Sequence, residues 1–286
     1  MWHEIAAQIS SSMGQVFTIS SKNRVSGGDI NDSYQISDGK SCFFVKLNNK
    51  DKLEMFEAEA YGLEHLARLS EFRVPRVIAS GCTLNHSYLV LEFISMHEPD
   101  QAQWESAGRT LANMHLARDF AMHGWDNDNY LGTNLQPNGW HKKWSLFFAE
   151  ERIGWQLQLL KEKGHHPFDS DDVVEAIHQR LLHHKVEPSL LHGDLWKGNL
   201  GFNKQVPVLF DPACYVGDAE AELAMTQLFG GFPERFYAAY HEVLPMHSGY
   251  EERKHIYNLY HLLNHANLFG EQYLVQAKQI IEKWVL

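Results

Sequence analysis

The stretch that most restricts the fold of this chain spans residues 190–211 and reads LLHGDLWKGNLGFNKQVPVLFD. A short apolar run leads to Asp194, Asn199 follows five positions later, and a second apolar run ends on Asp211. Two short strands joined by polar loops bring such residues together, so we expect these three side chains to share one small volume. Asp and Asn are also common in turns, and Gly198 beside Asn199 could be no more than a tight hairpin corner.

Two carboxylates and one amide are the side chains that phosphoryl transfer from ATP requires. One carboxylate accepts the proton of the attacking hydroxyl, while the amide and the other carboxylate hold Mg²⁺. Asp-x-x-x-x-Asn followed by a strand that ends in Asp is the kinase catalytic-loop pattern, with His192-Gly193-Asp194 where protein kinases carry His-Arg-Asp. The pattern therefore predicts kinase chemistry with ATP and Mg²⁺ as cofactors.

Residues 1–95 are predicted to form a small antiparallel sheet with one inserted helix. Apolar positions at helical spacing indicate a leading helix over 1–13, after which the period changes to that of strands. Asp38-Gly39 between two of these strands is a strong hairpin signal. The predicted strands cover 16–19, 23–26, 32–36, 42–47 and 88–93, and the inserted helix covers about 51–69.

From residue 96 onward the apolar period is helical almost throughout. The predicted helices cover 102–118, 140–163, 170–184, 219–228, 233–243 and 250–286, the last broken near Gly270. We therefore predict an α+β, bilobal, protein-kinase-like fold. Its small lobe, 1–95, would clamp the nucleotide, and its larger, mostly helical lobe, 96–286, would carry catalysis and substrate binding.

Lys46 lies inside an otherwise apolar predicted strand, FFVKL, where a buried ammonium group is costly without a partner. In kinases a strand lysine contacts the α- and β-phosphates and pairs with a helix glutamate. An edge-strand lysine that faces water is the alternative. At 100° per residue, Glu59 lies nearer than Glu57 to the apolar face of the next helix, so we predict Glu59 as the partner.

Two further segments are predicted to contact the nucleotide. Gly27 and Gly28 lie at a turn between strands, where the lack of side chains lets backbone N–H groups approach phosphates, although an ordinary hairpin bend fits the same residues. The strand over 88–93 runs into a polar connector that would form the hinge between the lobes. There we predict the Glu92 carbonyl and the Ile94 N–H as the groups that hold adenine.

The segment after Asp211 points to a small acceptor. Asp211 is followed by Pro212, no Ala-Pro-Glu motif follows, and too few residues precede the next helix for an activation loop. Protein kinases dock peptides on that loop, so we expect a small-molecule acceptor instead. Either Asp218 or Glu222 is expected to support the catalytic loop by accepting backbone N–H bonds.

Bulk composition excludes several classes of partner. The formal charge of -11 argues against nucleic acid and against an anionic membrane surface. The three cysteines form no C-x-x-C pair, which predicts neither a disulfide framework nor a zinc ribbon. The N-terminal segment lacks the signal-peptide pattern, and no run approaches the ~18 apolar residues of a membrane span. Together with the cysteine content, these features favour a cytoplasmic location. The 18 histidines include no H-E-x-x-H signature, so no dedicated metal site is expected among them.

With these residues in place, the chain resembles the fructosamine kinase family (ketosamine 3-kinases), a branch of the aminoglycoside-phosphotransferase-like kinases. The resemblance covers nearly the whole chain, and its most specific stretch is HGDLWKGN at 192–199, because Trp196 distinguishes this branch from other small-molecule kinases. The other matching stretches are GGDIN at 27–31, FFVK at 43–46, EAYGL at 59–63, GRTLANMH at 108–115, NYLG at 129–132, QPN at 136–138, FDPA at 210–213 and FGGF at 229–232.

The resemblance implies ATP-dependent phosphorylation of the 3-hydroxyl of a ketosamine, such as a ribulosamine or fructosamine adduct. This makes the adduct unstable and frees the amine, a deglycation repair. By the same resemblance Asp194 is the base, and Lys46 and Glu59 position the phosphates. Trp196 would form part of the sugar pocket, unless it is a core aromatic behind the loop. The resemblance also implies that Asn199 and Asp211 hold Mg²⁺. The acceptor would be a small-molecule ketosamine or a glycated lysine; the sequence specifies neither which one nor an oligomeric state.

Two other hypotheses stay open on the sequence alone. The same scaffold serves aminoglycoside-, choline- and homoserine-type kinases, so the acceptor could be another hydroxyl compound. A non-catalytic nucleotide-binding module is the second alternative. Against it stands the complete set of predicted functional side chains, since a kinase that has lost its activity usually lacks at least one: Lys46, Glu59, Asp194, Asn199 and Asp211.

Overall fold

The N-terminal part of the chain is built on a five-stranded antiparallel sheet. The computed structural model describes residues 1–25, 30–117, 120–166 and 168–286. The strands are β1 (Ser21–Arg24), β2 (Asp32–Ser37), β3 (Cys42–Asn49), β4 (Val77–Cys82) and β5 (His86–Glu92), in the spatial order β1-β2-β3-β5-β4. The helices of this part are α1 (Trp2–Met13) and α2 (Leu53–Leu69), with a 3₁₀ turn (Lys50–Lys52) before α2. One sheet with one inserted helix is what the sequence predicts here.

Alternation along β3 separates its side chains between the two faces of the sheet. Val45 and Leu47 are buried in an apolar cluster with α1. Phe44 packs on the opposite side, against the larger core that contains α2. Lys46 shares the face of Phe44, so the period of two along the strand directs its ammonium group towards α2.

Two strand predictions, over 16–19 and 23–26, need correction, and one strand, β4, was not predicted. The predicted strand over 16–19 is wrong: the Phe17 N–H donates to Ser10 Oγ of α1 at 2.9 Å. Phe17 is buried edge-on against Phe43 at a centroid distance of 5.0 Å, so its apolar character serves packing and not strand pairing. Strand β4 was missed because its sequence, VIASGC, alternates weakly and its pairing shifts register between Val77 and Ala79. The prediction over 23–26 overlaps β1 only in part.

Helices form most of the remainder. They are α3 (Gln101–Leu116), α4 (Trp144–Phe147), α5 (Trp155–Glu162), α6 (Ser170–Leu181), α7 (Ala219–Leu228), α8 (Glu234–Val243), α9 (Tyr250–Phe269) and α10 (Glu271–Ile280). Side-chain oxygens of Asp100, Asp169 and Asp218 accept backbone N–H bonds at the starts of α3, α6 and α7, which satisfies donors that the first helical turn leaves free. Gly270, with φ of +99°, separates α9 from α10.

The predicted helix over 140–163 differs from the observed one in two ways. It begins only at Trp144, and its middle is a π-helical segment, Phe148–Gly154, between α4 and α5. A second π-helical segment, Ile281–Val285, ends the chain. A π-helical turn contains an extra residue, so the pattern of 3.6 residues per turn cannot predict which side chains such a segment turns inward.

Three short antiparallel pairs complete the sheet structure: β6 (Asn129–Leu131) with β7 (Asn134–Gln136), β8 (Ser189–Leu191) with β11 (Tyr215–Gly217), and β9 (Leu200–Asn203) with β10 (Val206–Leu209). The apolar runs around the 190–211 stretch predicted β8 and β10. Strands β6, β7, β9 and β11 have three or four residues each, contain glycine or amide residues, and were not predicted.

The α+β class is confirmed, with the five-stranded sheet in the N-terminal part and helices dominating the rest. The predicted boundary at 95/96 falls in the connector between β5 and α3 and stays a prediction. Helix α2 also packs on the C-terminal part, since a Cβ on Gly62 would lie 3.2 Å from Pro212 Cγ. Within the described ranges, no helix has the length and apolar composition of a membrane span.

Candidate active site

Two loops carry the polar residues that the sequence predicts to act together. The 192–199 loop follows β8, and the 210–214 loop connects β10 to β11. The two lie side by side because β8 pairs with β11. The Ala213 N–H donates to the His192 carbonyl at 2.9 Å, and His192 Nε2 lies 3.0 Å from the Phe210 carbonyl oxygen. These bonds tie the second loop to the first on both sides of Asp211.

Gly193 is the point where the backbones of the two loops meet. Its φ is +83°, and a Cβ at this position would lie 2.0 Å from the Ala213 carbonyl oxygen. Only a residue without a side chain fits such an approach. The contact between the loops therefore explains why this chain has His-Gly-Asp where protein kinases have His-Arg-Asp.

His192 is a neutral structural residue of the 192–199 loop. The Asp194 N–H lies 3.3 Å from His192 Nδ1, so Nδ1 is the acceptor and the ring proton is on Nε2, which donates to the Phe210 carbonyl. Burial lowers the pKa of His192, in keeping with an uncharged ring. Its role is to hold the backbone of Asp194 against the 210–214 loop.

Asp194 and Asn199 are joined by their side chains. Asn199 Nδ2 lies 2.8 Å from the Asp194 carbonyl oxygen and 3.1 Å from Asp194 Oδ2. Asn199 is buried and Asp194 half-buried. Because the amide nitrogen is used in this way, the amide oxygen of Asn199 is the atom left to accept a cation or a donor.

Burial of the Asp194 carboxyl raises its pKa to about 7, and the negative charge of Asp211 adds to the rise against the opposing hydrogen bond from Asn199. A carboxylate whose pKa is near neutrality can both lose and accept a proton in the physiological range, which is the property required of a general base.

Lys46 joins the two parts of the chain at this site. Its Nζ lies 2.7 Å from Glu59 Oε1 and 2.5 Å from Asp211 Oδ1. Burial disfavours the ammonium form, but the charges of Asp211 and Glu59 outweigh it and raise the pKa of Lys46. Glu57 is exposed, so of the two candidate glutamates of α2 the structure pairs Glu59 with the lysine.

Asp211 adopts an unusual backbone conformation. Its φ is +58°, a left-handed value that is uncommon for residues other than glycine. Its side chain is 45% exposed, whereas that of Lys46 is 5% exposed. The carboxylate therefore has one oxygen on the buried ammonium group and can turn the other towards a ligand.

Glu222 supports the 192–199 loop from behind. Its Oε1 accepts the Gly193 N–H at 2.8 Å, and its Oε2 lies 2.9 Å from Nε2 of buried His115. Nδ1 of His115 lies in turn 2.8 Å from the Tyr240 hydroxyl. Of the two acids that the sequence offers for this support, the structure selects Glu222, because Asp218 caps α7 instead.

The predicted adenine-binding residues lie at the end of β5. The Glu92 N–H donates to the Arg76 carbonyl at 2.8 Å, and the Glu92 carboxylate pairs with Arg73 at 2.7 Å. Ile94 is buried, and its N–H has no hydrogen-bond acceptor among the described residues. The roles of Glu92 and Ile94 in adenine binding stay predictions, and Gly27 and Gly28 lie outside the described residues.

Trp196 presents a partly open indole next to Asp194. The side chain is 39% exposed, which is not the environment of a core aromatic. A Cβ on Gly198 would lie 2.3 Å from the indole ring, so the ring lies directly against this glycine. Lys197 Nζ lies 3.4 Å from the Gly230 carbonyl oxygen.

A second acidic cluster, outside the two loops, consists of His184, Asp218 and Glu220, whose ligand atoms lie within 4.8 Å of one another. Its oxygens already have partners. Asp218 accepts from the Tyr257 hydroxyl at 2.5 Å, and Glu220 pairs with Arg253 at 2.7 Å. The cluster is therefore accounted for as a buried hydrogen-bonded network beside α7.

Sequence reasoning missed four buried polar side chains that lie behind the 210–214 loop: Asn129, Gln136, Asn138 and Arg152. The first three belong to the NYLG and QPN stretches, which carry the family resemblance without an evident role. Buried amides need hydrogen-bond partners, so their burial would have been a signal of a structural role. Nothing in the sequence, however, indicates that these residues are buried.

Comparisons with known proteins assign the chain to a family. The model of the fructosamine kinase family matches residues 1–286. A protein of Vibrio parahaemolyticus named as a probable ketoamine kinase is 49% identical over 284 residues, which are 99% of this chain and 99% of that protein. The structure is similar to that of a candidate fructosamine-3-kinase from Haemophilus somnus, with a TM-score of 0.95, 35% identity and coverage of 100% of this chain and 98% of the other.

A more distant similarity shows the fold alone. An aminoglycoside phosphotransferase in ternary complex with AMP-PNP and hygromycin B superposes with a TM-score of 0.62 at 12% identity, over 99% of this chain and 97% of the other. This confirms the kinase-like fold that the sequence predicts. Since the family match extends over the whole sequence, the chain belongs to the fructosamine kinase family.

Proposed function

We propose that this chain transfers the terminal phosphoryl group of ATP to the 3-hydroxyl of a ketosamine. The observation that carries the proposal is the contact of Lys46 with Asp211 at 2.5 Å, beside the loop in which Asp194 is bonded to Asn199. Family membership supports kinase activity. The names of the similar proteins support a ketosamine acceptor and, for the Haemophilus somnus structure, the 3-position.

The residues at the site suit a magnesium ion. Mg²⁺ prefers oxygen ligands and is usually bound by one or two protein carboxylates together with substrate phosphates. Asn199 has an amide oxygen that its own hydrogen bonds do not use, and Asp211 has a carboxylate that is 45% exposed. We assign these two side chains as the protein ligands of magnesium.

Lys46 and Glu59 would orient the phosphates of ATP, which supplies the phosphoryl group when bound. The ammonium group of Lys46 is fixed between two carboxylates and so keeps its position and its charge. The Glu92 carbonyl and the Ile94 N–H, for which no acceptor lies among the described residues, are assigned to adenine. Gly27 and Gly28, which lie outside the described residues, are assigned to binding the phosphates.

Asp194 is assigned as the base that accepts the proton of the acceptor hydroxyl. Its raised pKa means that it binds this proton more readily than an ordinary aspartate, while still being largely ionised at slightly alkaline pH. The bond from Asn199 Nδ2 to Oδ2 at 3.1 Å orients the carboxyl group and leaves Oδ1 for the acceptor.

The acceptor is assigned to the open space beside Trp196. An exposed indole face suits the C–H surface of a sugar. Only residues 212–214 separate Asp211 from β11, so no activation loop covers the site and a ketosamine, free or on a lysine side chain, can approach. Phosphorylation at the 3-hydroxyl would destabilise the adduct and release the amine, which makes deglycation the proposed biological outcome.

An acceptor panel tests the proposed function. Purified protein with radiolabelled ATP and Mg²⁺ is expected to label ribulosamines and fructosamines, both as free adducts and on glycated lysine, with the label at the 3-hydroxyl by NMR. Choline, homoserine and an aminoglycoside serve as competing acceptors, and unglycated lysine serves as the blank. Preferential labelling of a competing acceptor would refute the ketosamine assignment and leave the kinase assignment intact.

A pH profile tests the role of Asp194 separately. Because the required form is the ionised one and the pKa is raised to about 7, kcat/KM for Mg·ATP should fall by about tenfold per pH unit below that value. In the ternary complex the positive charge of magnesium lowers the pKa of Asp194 and so opposes the effect of burial. The plateau of kcat should therefore extend to lower pH than that of kcat/KM. An acid limb for kcat/KM near 3.8, the ordinary value of an aspartate, would contradict the assignment.

A further inference from the structure

A buried group of three amides lies against the 210–214 loop. This amide cluster consists of Asn129, Gln136 and Asn138, with exposed fractions of 6%, 1% and 1%. Asn129 Nδ2 donates to the Cys214 carbonyl at 2.7 Å, and Gln136 Nε2 donates to the Ala213 carbonyl at 3.0 Å. The two carbonyl groups that follow Asp211 and Pro212 are thus held by side chains of the β6–β7 hairpin and its continuation.

The amide cluster is also bonded internally. Asn129 Oδ1 accepts from Gln136 Nε2 at 2.6 Å and from Asn138 Nδ2 at 3.0 Å. Gln136 Oε1 accepts from the Tyr260 hydroxyl at 2.6 Å. Amide oxygens and nitrogens have similar shapes, so each of these side chains could be turned over unless a neighbour fixes its direction.

Arg152 fixes that direction. Its Nη2 donates to Asn138 Oδ1 at 2.6 Å, and a guanidinium group can only donate. The oxygen of Asn138 must therefore face Arg152, its nitrogen must face Asn129, and the nitrogen of Asn129 must face the Cys214 carbonyl. Arg152 sets the polarity of this chain of hydrogen bonds from one end, and the carbonyl groups of Asn127 and Cys214, which can only accept, impose the same polarity along it.

The environment of Arg152 is unusual for a cation. The side chain is fully buried in the π-helical segment, with its guanidinium carbon 4.5 Å from the ring centre of Phe147 and 4.1 Å from that of Tyr215. Within the described part of the chain no carboxylate lies at ion-pair distance from it. A buried charge without a counter-ion is costly, so its retention calls for a role that an apolar residue cannot fill.

We propose that Arg152, acting through the amide cluster, is a positioning residue for Asp211. The left-handed φ of +58° at Asp211 persists only when its surroundings impose it. Those surroundings are the carbonyl groups of Ala213 and Cys214, fixed by the amide cluster on one side, and the Ala213 N–H, fixed by His192 on the other. The inference rests on the proposed function, in which Asp211 binds magnesium.

Asn138→Asp tests the direction of the hydrogen bonds with almost no change of shape. The new carboxylate still accepts from Arg152 and gains an ion pair, but it can donate neither to Asn129 Oδ1 nor to the Asn127 carbonyl. Because Asn129 Oδ1 then faces a carboxylate oxygen, the Asn129 side chain is expected to move away from it, which weakens the bond from Asn129 Nδ2 to the Cys214 carbonyl. Residues that orient metal ligands from behind typically contribute about 10- to 100-fold to metal affinity or activity, so Mg²⁺-dependent ATP binding, measured by calorimetry without acceptor, should weaken by about 10-fold or more.

Asn134→Asp is the matched control. Asn134 lies in β7 of the same hairpin, and its amide donates to Asn264 Oδ1 at 2.8 Å and not to the 210–214 loop. We expect this variant to keep wild-type Mg²⁺ dependence. In the Asn138→Asp variant kcat should fall with Mg²⁺ affinity, KM for the acceptor should stay within about twofold, and the ion pair should keep the melting temperature near that of wild type.

A wild-type Mg²⁺ requirement in Asn138→Asp, whether or not its melting temperature changes, would show that the amide cluster is only structural. If that variant does not fold, Gln136→Glu, which removes the donor to the Ala213 carbonyl and to Asn129 Oδ1, gives the same comparison. The binding measurement needs no acceptor. Failure of the wild-type protein to phosphorylate any ketosamine would therefore overturn the proposed function, and equal Mg²⁺ affinities would overturn the positioning role.

Discussion

Replacing Asp194 by asparagine is expected to lower kcat for phosphoryl transfer by about 100- to 10,000-fold, the range that a general base contributes. The substitution keeps the shape of the side chain, and its oxygen can still accept the bond from Asn199 Nδ2. What it removes is the ability to take a proton. Affinity for Mg·ATP, measured by calorimetry, should stay close to that of wild type, because Lys46, Asn199 and Asp211 are unchanged.

The exposed Asp51 supplies a matched control, since Asp51→Asn makes the same chemical change at a side chain that is 71% exposed. This variant should turn over at the wild-type rate. Any residual activity of Asp194→Asn should also lack the acid limb near pH 7, because the group that titrates there has been removed. Wild-type turnover in Asp194→Asn would refute the role of base, whatever the acceptor.

Much of the site geometry could be predicted from sequence because it depends on short-range rules. A period of two along β3 places Lys46 on the face towards α2, and 100° per residue along α2 favours Glu59 over Glu57. The loops that carry Asp194 and Asp211 each directly follow a short apolar strand. In each case the deciding information lies within a few residues of the side chain concerned.

The features of the site that the sequence did not predict depend on contacts between residues far apart in the sequence. Asp218 and Glu222 are four positions apart at the start of one helix, so local rules give them similar surroundings. The choice is made by His115 of α3, which reaches only Glu222. Gly193 is a similar case: the sequence shows a glycine, but its necessity comes from the Ala213 carbonyl at 2.0 Å from the position of its Cβ.

Arg152 illustrates a limit of periodicity itself. In a regular helix its position would be read from a repeat of 3.6, and an arginine in such a pattern is normally assigned to the surface. The π-helical segment, Phe148–Gly154, changes that phase and turns the guanidinium group into the core. The predicted helix over 140–163 is therefore right in type over much of its length and gives no indication of its buried cation.

Replacing Lys46 by methionine is expected to lower phosphoryl transfer by about 100- to 1,000-fold, the usual effect of removing one fixed group that stabilises developing charge. Methionine fills a similar volume in β3 but leaves Glu59 and Asp211 without the cation between them. Breaking a buried ion pair from one side can cost about 3–5 kcal/mol. The cost should be smaller here, because Asp211 is 45% exposed and burial already raises the pKa of Glu59, so that it can take up a proton.

The double variant shows whether Glu59 acts through Lys46. Glu59→Gln alone should reduce kcat/KM for ATP less than Lys46→Met does, and Glu57→Gln, the same change on the exposed side of α2, should have no effect. If the only function of Glu59 is to hold the lysine, adding Glu59→Gln to Lys46→Met should cost nothing further in activity, because residues that act as a unit are not additive. It should even recover stability, measured by thermal unfolding, since a buried carboxyl without a partner is replaced by a neutral amide. Additive losses in activity would instead mean that Glu59 contacts the nucleotide or its metal directly and not through Lys46.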